Sequence, residues 1–204
     1  MIYHIRIYRY GDGMNLRKAI KIIADYISKV NEYTKEQEEQ IEYALRITVF
    51  EFLKIAGIIL IYSIIGYPSE ASAAVIAMAA IRPFIGGYHE DTQLKCFAAT
   101  LIIIGSVIYL SNNLKIDFIS KIILNGISLY CIWNEAPVIN SKMPFTKPEL
   151  VEKNMITGIV IAVIFVFISI VFNKYKVSNI LTWTMIFQSL LLFNKRNNRN
   201  INIF

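Results

Sequence analysis

Two scarce side chains that could carry covalent chemistry lie seven residues apart in a polar interruption of an apolar chain. The stretch RPFIGGYHEDTQLKC, residues 82–96, holds His89, one of two histidines, and Cys96, one of two cysteines. A free cysteine has a pKa of about 8.5, so it is mostly protonated at neutral pH. A neighbouring imidazole can take that proton and return it to a leaving amine. The pair therefore has the chemistry of a cysteine–histidine dyad.

The spacing of the pair requires a bend in the backbone. On a straight helix, seven residues would place His89 and Cys96 on one face but about 10 Å apart along the axis. Pro83 and the adjacent glycines Gly86 and Gly87, which precede His89, favour a bend in this segment. We therefore predict that His89 lies on a loop and approaches Cys96 through this bend.

A new helix is predicted to begin just before Cys96. Asp91 or Thr92 is a suitable N-cap, and Cys96 then falls in the early turns, where the helix dipole favours a thiolate. The alternative interpretation is a polar loop with an incidental histidine and a buried cysteine. Cys131 has no nearby histidine in the sequence and is interpreted as a packing residue. The sequence predicts no metal site and no cofactor, because no metal-ligand spacing or phosphate-binding glycine loop is present.

Composition places this site in a membrane protein. The chain has 204 residues, 55% of them apolar, with a mean hydropathy of +0.48. Blocks such as ITGIVIAVIFVFISIVF (156–172) approach the roughly 20 residues that cross a bilayer core. We predict an all-α, polytopic integral membrane protein with about six hydrophobic segments. They lie near 47–66, 69–85, 97–112, 117–133, 154–172 and 178–193.

Two features of these segments leave alternatives open. The second segment is short and rich in small residues, so segments 69–85 and 97–112 either span fully or form a re-entrant pair around the glycine turn. In the first segment, Glu51 and Lys54 are spaced to pair on one helical face. They are interpreted either as functional charges within a span or as an ion pair near the membrane edge.

The N-terminal region, residues 14–46, is predicted to be separate from the membrane domain. Residues 14–30 carry basic side chains between apolar ones at helical spacing, namely Leu16, Ile20, Ile23, Ile27 and Val30. This pattern is typical of an amphipathic helix on an anionic membrane surface or of one packed on the rest of the protein. Residues 31–46 are charged and helical in composition. Residues 1–13 are interpreted as an upstream extension, because Met14 reads as a natural start. The membrane domain is then 47–204.

The distribution of basic residues predicts the orientation. If all six segments cross, one side of the membrane holds sixteen Lys and Arg in its loops and termini, and the other holds three. The positive-inside rule then places both termini and residues 82–96 in the cytoplasm. Thiols stay reduced there, so a bridge between Cys96 and Cys131 is not expected. The basic residues follow the membrane face, which argues against nucleic-acid binding.

The residues around the dyad resemble a known family signature. An Arg, a glycine pair, a His and a Cys seven residues after it are similar to the signature of the accessory gene regulator protein B (AgrB) family. Arg82, Gly86, Gly87, His89 and Cys96 occupy these positions. The stretch NEAPVINSKMPFTKPEL resembles the Ala-Pro-containing loop that precedes the last two spans of the family.

The resemblance implies a function. Members are membrane-embedded cysteine endopeptidases of Gram-positive bacteria that process quorum-sensing propeptides called AgrD. By this likeness, His89 deprotonates Cys96, and the thiolate releases the C-terminal tail of the propeptide and leaves an acyl-enzyme thioester. A Cys or Ser of the substrate then closes a thiolactone or lactone. The likeness also implies a homodimer in the bacterial cell membrane.

The remaining site residues have less defined roles. Arg82 either positions substrate or loop, or is a structural residue at a helix end. Backbone N–H groups near Cys96 are the first candidates to stabilise the oxyanion, and Gln93 is the second. Lys142 and Lys147 are candidates to bind the substrate tail, although some members carry a run of lysines where this chain has only Lys142. A function of another class, a non-catalytic exporter or docking component with residues 82–96 as a gating loop, is the alternative.

Overall fold

The computed structural model describes residues 14–87, 92–138 and 148–193. Seven helices account for 87% of these residues, and no strand occurs among them. The helices are α1 (Met14–Val30), α2 (Lys35–Ile64), α3 (Pro68–Ile85), α4 (Gln93–Asn113), α5 (Phe118–Glu135), α6 (Pro148–Val171) and α7 (Lys176–Phe193). The predicted all-α fold is confirmed for this part of the chain. A helix occupies each of the six predicted hydrophobic segments.

The chain divides into two compact units, Met1–Lys54 and Ile55–Phe204. In the first unit, Thr34 starts α2 with a capping box, because its N–H donates to Gln37 Oε1 at 2.9 Å and its hydroxyl accepts from the Gln37 N–H at 3.4 Å. Glu51 and Lys54 form the predicted ion pair at 2.5 Å. The predicted boundary between residues 46 and 47 stays a prediction.

Helix α1 in the first unit has two different stripes of side chains. One stripe is buried and consists of Ile20, Ala24 and Ser28. The other is exposed and consists of Ile22, Ile23, Tyr26 and Val30. The predicted apolar face is therefore divided, since Ile20 belongs to the buried stripe whereas Ile23 and Val30 belong to the exposed one.

In the second unit, α7 packs against α3, α4, α5 and α6. One buried cluster joins the end of α2 to α3, α4 and α7, with Ile58 and Ile104 among its fully buried members. A second cluster joins α3, α5, α6 and α7 near the C-terminal end of α3, and it includes Ile85 and Ile132. This second cluster holds the end of α3, where the candidate site begins.

Within the described ranges, three helices are long and apolar enough to cross a membrane, namely α2, α4 and α6. Length and composition alone therefore do not establish the six predicted spans. The other predicted segments correspond to α3, α5 and α7, which are helices of 18 residues each.

The polar and apolar side chains of α5 lie on different faces of the helix. Its buried face consists of Lys121, Asn125, Ser128 and Ile132, whereas its exposed side chains include Ile119, Ile123, Ile127, Tyr130 and Trp133. The polar residues thus face the protein interior and the apolar residues face outward. That arrangement is opposite to the one expected for a helix on a water-exposed protein surface, and it is the arrangement that lipid favours.

The buried polar residues of α5 bond to α6, α7 and the segment between them. Lys121 Nζ donates to Asn173 Oδ1 at 2.7 Å and to Ser178 Oγ at 2.6 Å. Asn125 Nδ2 donates to Thr182 Oγ1 at 3.2 Å, and the Ser169 and Thr182 hydroxyls lie 2.8 Å apart. We call these six residues the α5–α7 polar cluster. The sequence analysis did not identify it, although a lysine and an asparagine four residues apart in an apolar segment were a usable signal.

Candidate active site

Cys96 lies in the first turns of α4, as predicted. Thr92 is the N-cap, with extended backbone, and its hydroxyl accepts from the Lys95 N–H at 3.3 Å. The Cys96 N–H donates to the Thr92 carbonyl at 3.0 Å, which is the first hydrogen bond of the helix. Cys96 itself is half-buried. The thiol is therefore held at the positive end of an ordered helix, at an accessible position.

The glycine turn that precedes α4 begins at the end of α3. Pro83 lies inside α3, and the helix continues past it to Ile85. Gly86 then ends the helix with φ +73°, and its N–H donates to the Arg82 carbonyl at 2.9 Å. Gly87 follows with φ +131°. Both angles lie in the region that favours glycine, so the predicted turn is present.

The turn also packs against the end of α5. Gly86 and Val138 form an isolated parallel bridge, in which the Val138 N–H donates to the Ile85 carbonyl at 3.0 Å. A Cβ on Gly86 would lie 2.1 Å from the Val138 carbonyl oxygen. The segment containing Ala136 and Pro137, which the sequence analysis had noted separately, is therefore attached to the glycine turn.

Val138 is the residue that the sequence analysis missed at this site. Its partner Gly86 is about fifty positions away in the sequence, and a bridge of two residues leaves no pattern that a single sequence could reveal. The family resemblance of the stretch NEAPVINSKMPFTKPEL pointed to this segment but gave no role to Val138, which lies within it.

The other predicted site residues divide into two groups. Arg82 is half-buried in the last turn of α3, and Gln93 is exposed in the first turn of α4. His89, Lys142 and Lys147 lie outside the described residues. The contact between His89 and Cys96 accordingly stays a prediction, as does the role of the two lysines.

In the part of the chain that the structure describes, the remaining Cys, Asp and Glu side chains do not form a second cluster of three or more. Cys131 is half-buried on α5 and forms no disulfide with Cys96. Among residues 14–87, 92–138 and 148–193, no three His, Cys, Asp or Glu side chains come together as a metal ion would require. The arrangement that can act chemically is thus a thiol at the start of a capped helix that follows a glycine turn in the sequence.

Comparison with known proteins connects this arrangement to a family. The model of the family "Accessory gene regulator B" matches residues 20–192. A protein of Clostridium perfringens (strain 13 / Type A) named "Putative AgrB-like protein 1" is 45% identical over 181 residues, which are 88% of this chain and 97% of that protein. No solved structure shows a significant match. The resemblance seen in the glycine pair, the histidine and the cysteine extends over most of the chain, which belongs to the accessory gene regulator B family.

Proposed function

We propose that the protein is a membrane cysteine endopeptidase that removes the C-terminal tail from a small AgrD-like quorum-sensing propeptide. The observation that carries this proposal is the position of Cys96. It lies in the first turns of the capped helix α4, and the glycine turn at Gly86 and Gly87 precedes this helix in the sequence. Membership of the accessory gene regulator B family supports the substrate class.

In the first step, His89 takes the proton of the Cys96 thiol. The thiolate attacks the carbonyl carbon at the cleavage site and forms a tetrahedral intermediate. The C–N bond then breaks, the departing amine of the tail receives the proton from the imidazolium, and the substrate remains bound as a thioester. No oxidant, reductant or metal is needed.

In the second step, a Cys or Ser side chain of the substrate attacks the thioester carbonyl. His89 takes its proton, and the Cys96 sulfur leaves and is reprotonated, so a cyclic thiolactone or lactone is released. Exchange of one thioester for another is close to thermoneutral. The cyclisation therefore depends on excluding water, which a site at the membrane edge favours.

We also propose that six helices cross the bilayer, from α2 to α7, with both termini and the site in the cytoplasm. The inverted polarity of α5 supports this count, because its apolar residues are exposed and its polar residues buried. The excess of Lys and Arg on one side supports the orientation.

The other proposed features follow from the same function. Lys142 and Lys147 attract an acidic substrate tail, and Arg82 and the glycine turn hold the loop that carries His89. Residues 14–46 form the N-terminal helical region before a membrane domain that runs from residue 47 onward. The active protein is a homodimer.

Co-expression with the propeptide encoded in a neighbouring reading frame tests the proposal. Mass spectrometry should detect a released tail and a cyclic product with the unaltered protein. Cys96→Ala and His89→Ala should each abolish the tail, whereas Cys131→Ala should leave it unchanged. Tail release by Cys96→Ala would exclude this function. Transport of uncut peptide by both variants would favour the exporter instead.

A further inference from the structure

The candidate mechanism requires a hydrogen-bond donor for the carbonyl oxygen that becomes negatively charged when Cys96 attacks. Such donors supply a large share of catalysis when they are oriented in advance. The backbone near Cys96 is the obvious source, since the start of a helix presents N–H groups without intrahelical acceptors. The hydrogen bonds of the first turn of α4 limit which of these groups can serve.

Two of the nearest N–H groups already have acceptors. The Cys96 N–H donates to the Thr92 carbonyl at 3.0 Å, and the Lys95 N–H donates to the Thr92 hydroxyl at 3.3 Å. Either would have to give up a bond that forms the first turn in order to bind the oxyanion. Leu94 lies two residues before Cys96, which places it about 160° away around the helix axis. Its N–H group is therefore near the face opposite to Cys96.

Gln93, unlike the Leu94 N–H, lies on the same helical face as Cys96. It precedes Cys96 by three residues, so the two Cβ atoms are neighbours on one face at about 5–6 Å. Side chains on a helix tilt towards its N-terminus, which directs the Cys96 sulfur over the turn where Gln93 begins. Gln93 is exposed and Cys96 half-buried, so a substrate carbonyl can reach both.

We infer that the side-chain amide of Gln93 is the oxyanion donor of the proposed peptidase. As the sulfur attacks, the Nε2–H group donates a hydrogen bond to the carbonyl oxygen, and Gln93 neither gains nor loses a proton. The inference rests on the proposed function. It makes Gln93 a catalytic residue, whereas Thr92 caps the first turn of α4 and has no contact with substrate in this scheme.

The test compares Gln93→Ala and Gln93→Glu with Leu94→Ala. Leu94 is a matched control because it is the next residue of the same turn and is 74% exposed. With purified protein in detergent and a synthetic propeptide, kcat for tail release should fall about 100- to 1000-fold in both Gln93 variants. KM should stay within about twofold, because the bond forms mainly in the transition state. Leu94→Ala should behave like the unaltered protein.

A second readout separates a catalytic role from a structural one. The rate at which iodoacetamide alkylates Cys96 across pH should be the same in Gln93→Ala and the unaltered protein, because Gln93 acts on substrate and not on the thiol. A changed alkylation profile, or full kcat in Gln93→Ala, would overturn the inference. If Cys96→Ala is inactive while Gln93→Ala is fully active, only this inference fails. If Cys96→Ala cleaves, the proposed function itself fails.

Discussion

Gly86 and Val138 are joined by a single backbone bridge that fixes the end of α5 to the turn before the candidate nucleophile. Gly86 has φ +73°, and a Cβ there would lie 2.1 Å from the Val138 carbonyl oxygen. Residues other than glycine are therefore excluded at position 86, both because the positive φ disfavours them and because a Cβ would clash with Val138.

We expect Gly86→Ala to reduce tail release by about 100-fold or more. The added methyl group must displace Val138 or the turn, and a shift of about 1 Å at a catalytic centre has an effect of this size. Gly66→Ala is the matched control, because Gly66 also has positive φ, at +96°, but no atom within 4 Å of the added Cβ. Initial rates should fall for Gly86→Ala and not for Gly66→Ala. Equal rates for the two would show that the contact with Val138 is unimportant.

Thr92→Ala should loosen the first turn of α4. Loss of an N-cap costs about 1 kcal/mol, which corresponds to roughly a fivefold change in an equilibrium or a rate. Hydrogen exchange should quicken at residues 93–96 and tail release should slow about fivefold, whereas Thr92→Ser should retain both values. Thr157→Ala is the control, since the Thr157 hydroxyl donates to the Lys153 carbonyl within α6 and caps no helix start. Unchanged exchange in Thr92→Ala would contradict the assigned cap.

Sequence reasoning succeeded where the signal is local. The N-cap Thr92, the glycine turn and the Glu51–Lys54 pair follow from residues within one or two turns of one another, and such short-range preferences can be recognised in a single chain. The bridge from Gly86 to Val138 depends on how α3 and α5 each pack against α6 and α7, which a local sequence pattern does not encode.

The division of α5 into two faces escapes hydropathy for a related reason. Hydropathy is averaged over a whole helix, whereas in α5 the polar residues occupy a buried face and the apolar residues are exposed. Lys121 and Asn125 lower this average although both are fully buried within the protein. The partners that make their burial tolerable, Ser178 and Thr182, belong to a helix more than fifty residues further along the chain.

Lys121→Ala should destabilise the protein, because Asn173 Oδ1 and Ser178 Oγ would lose a buried donor. Leaving buried polar groups unsatisfied costs about 1–3 kcal/mol. The midpoint of thermal unfolding in detergent, followed by tryptophan fluorescence, should fall. Lys115→Ala removes an exposed lysine from the loop before α5 and should leave the midpoint unchanged. A midpoint for Lys121→Ala equal to that of Lys115→Ala would show that the α5–α7 polar cluster does not stabilise the fold.

The proposed orientation predicts which loops a membrane-impermeant maleimide can reach. In a background with Cys96→Ala and Cys131→Ala, Lys115→Cys introduces a thiol between α4 and α5, and Glu36→Cys introduces one near the start of α2. Both native side chains are exposed. Lys115→Cys should react in intact cells, because six spans place this loop outside. Glu36→Cys should react only after the membrane is permeabilised. The reverse pattern would invert the topology and move Cys96 to the outer face, where the cytoplasmic propeptide could not reach it.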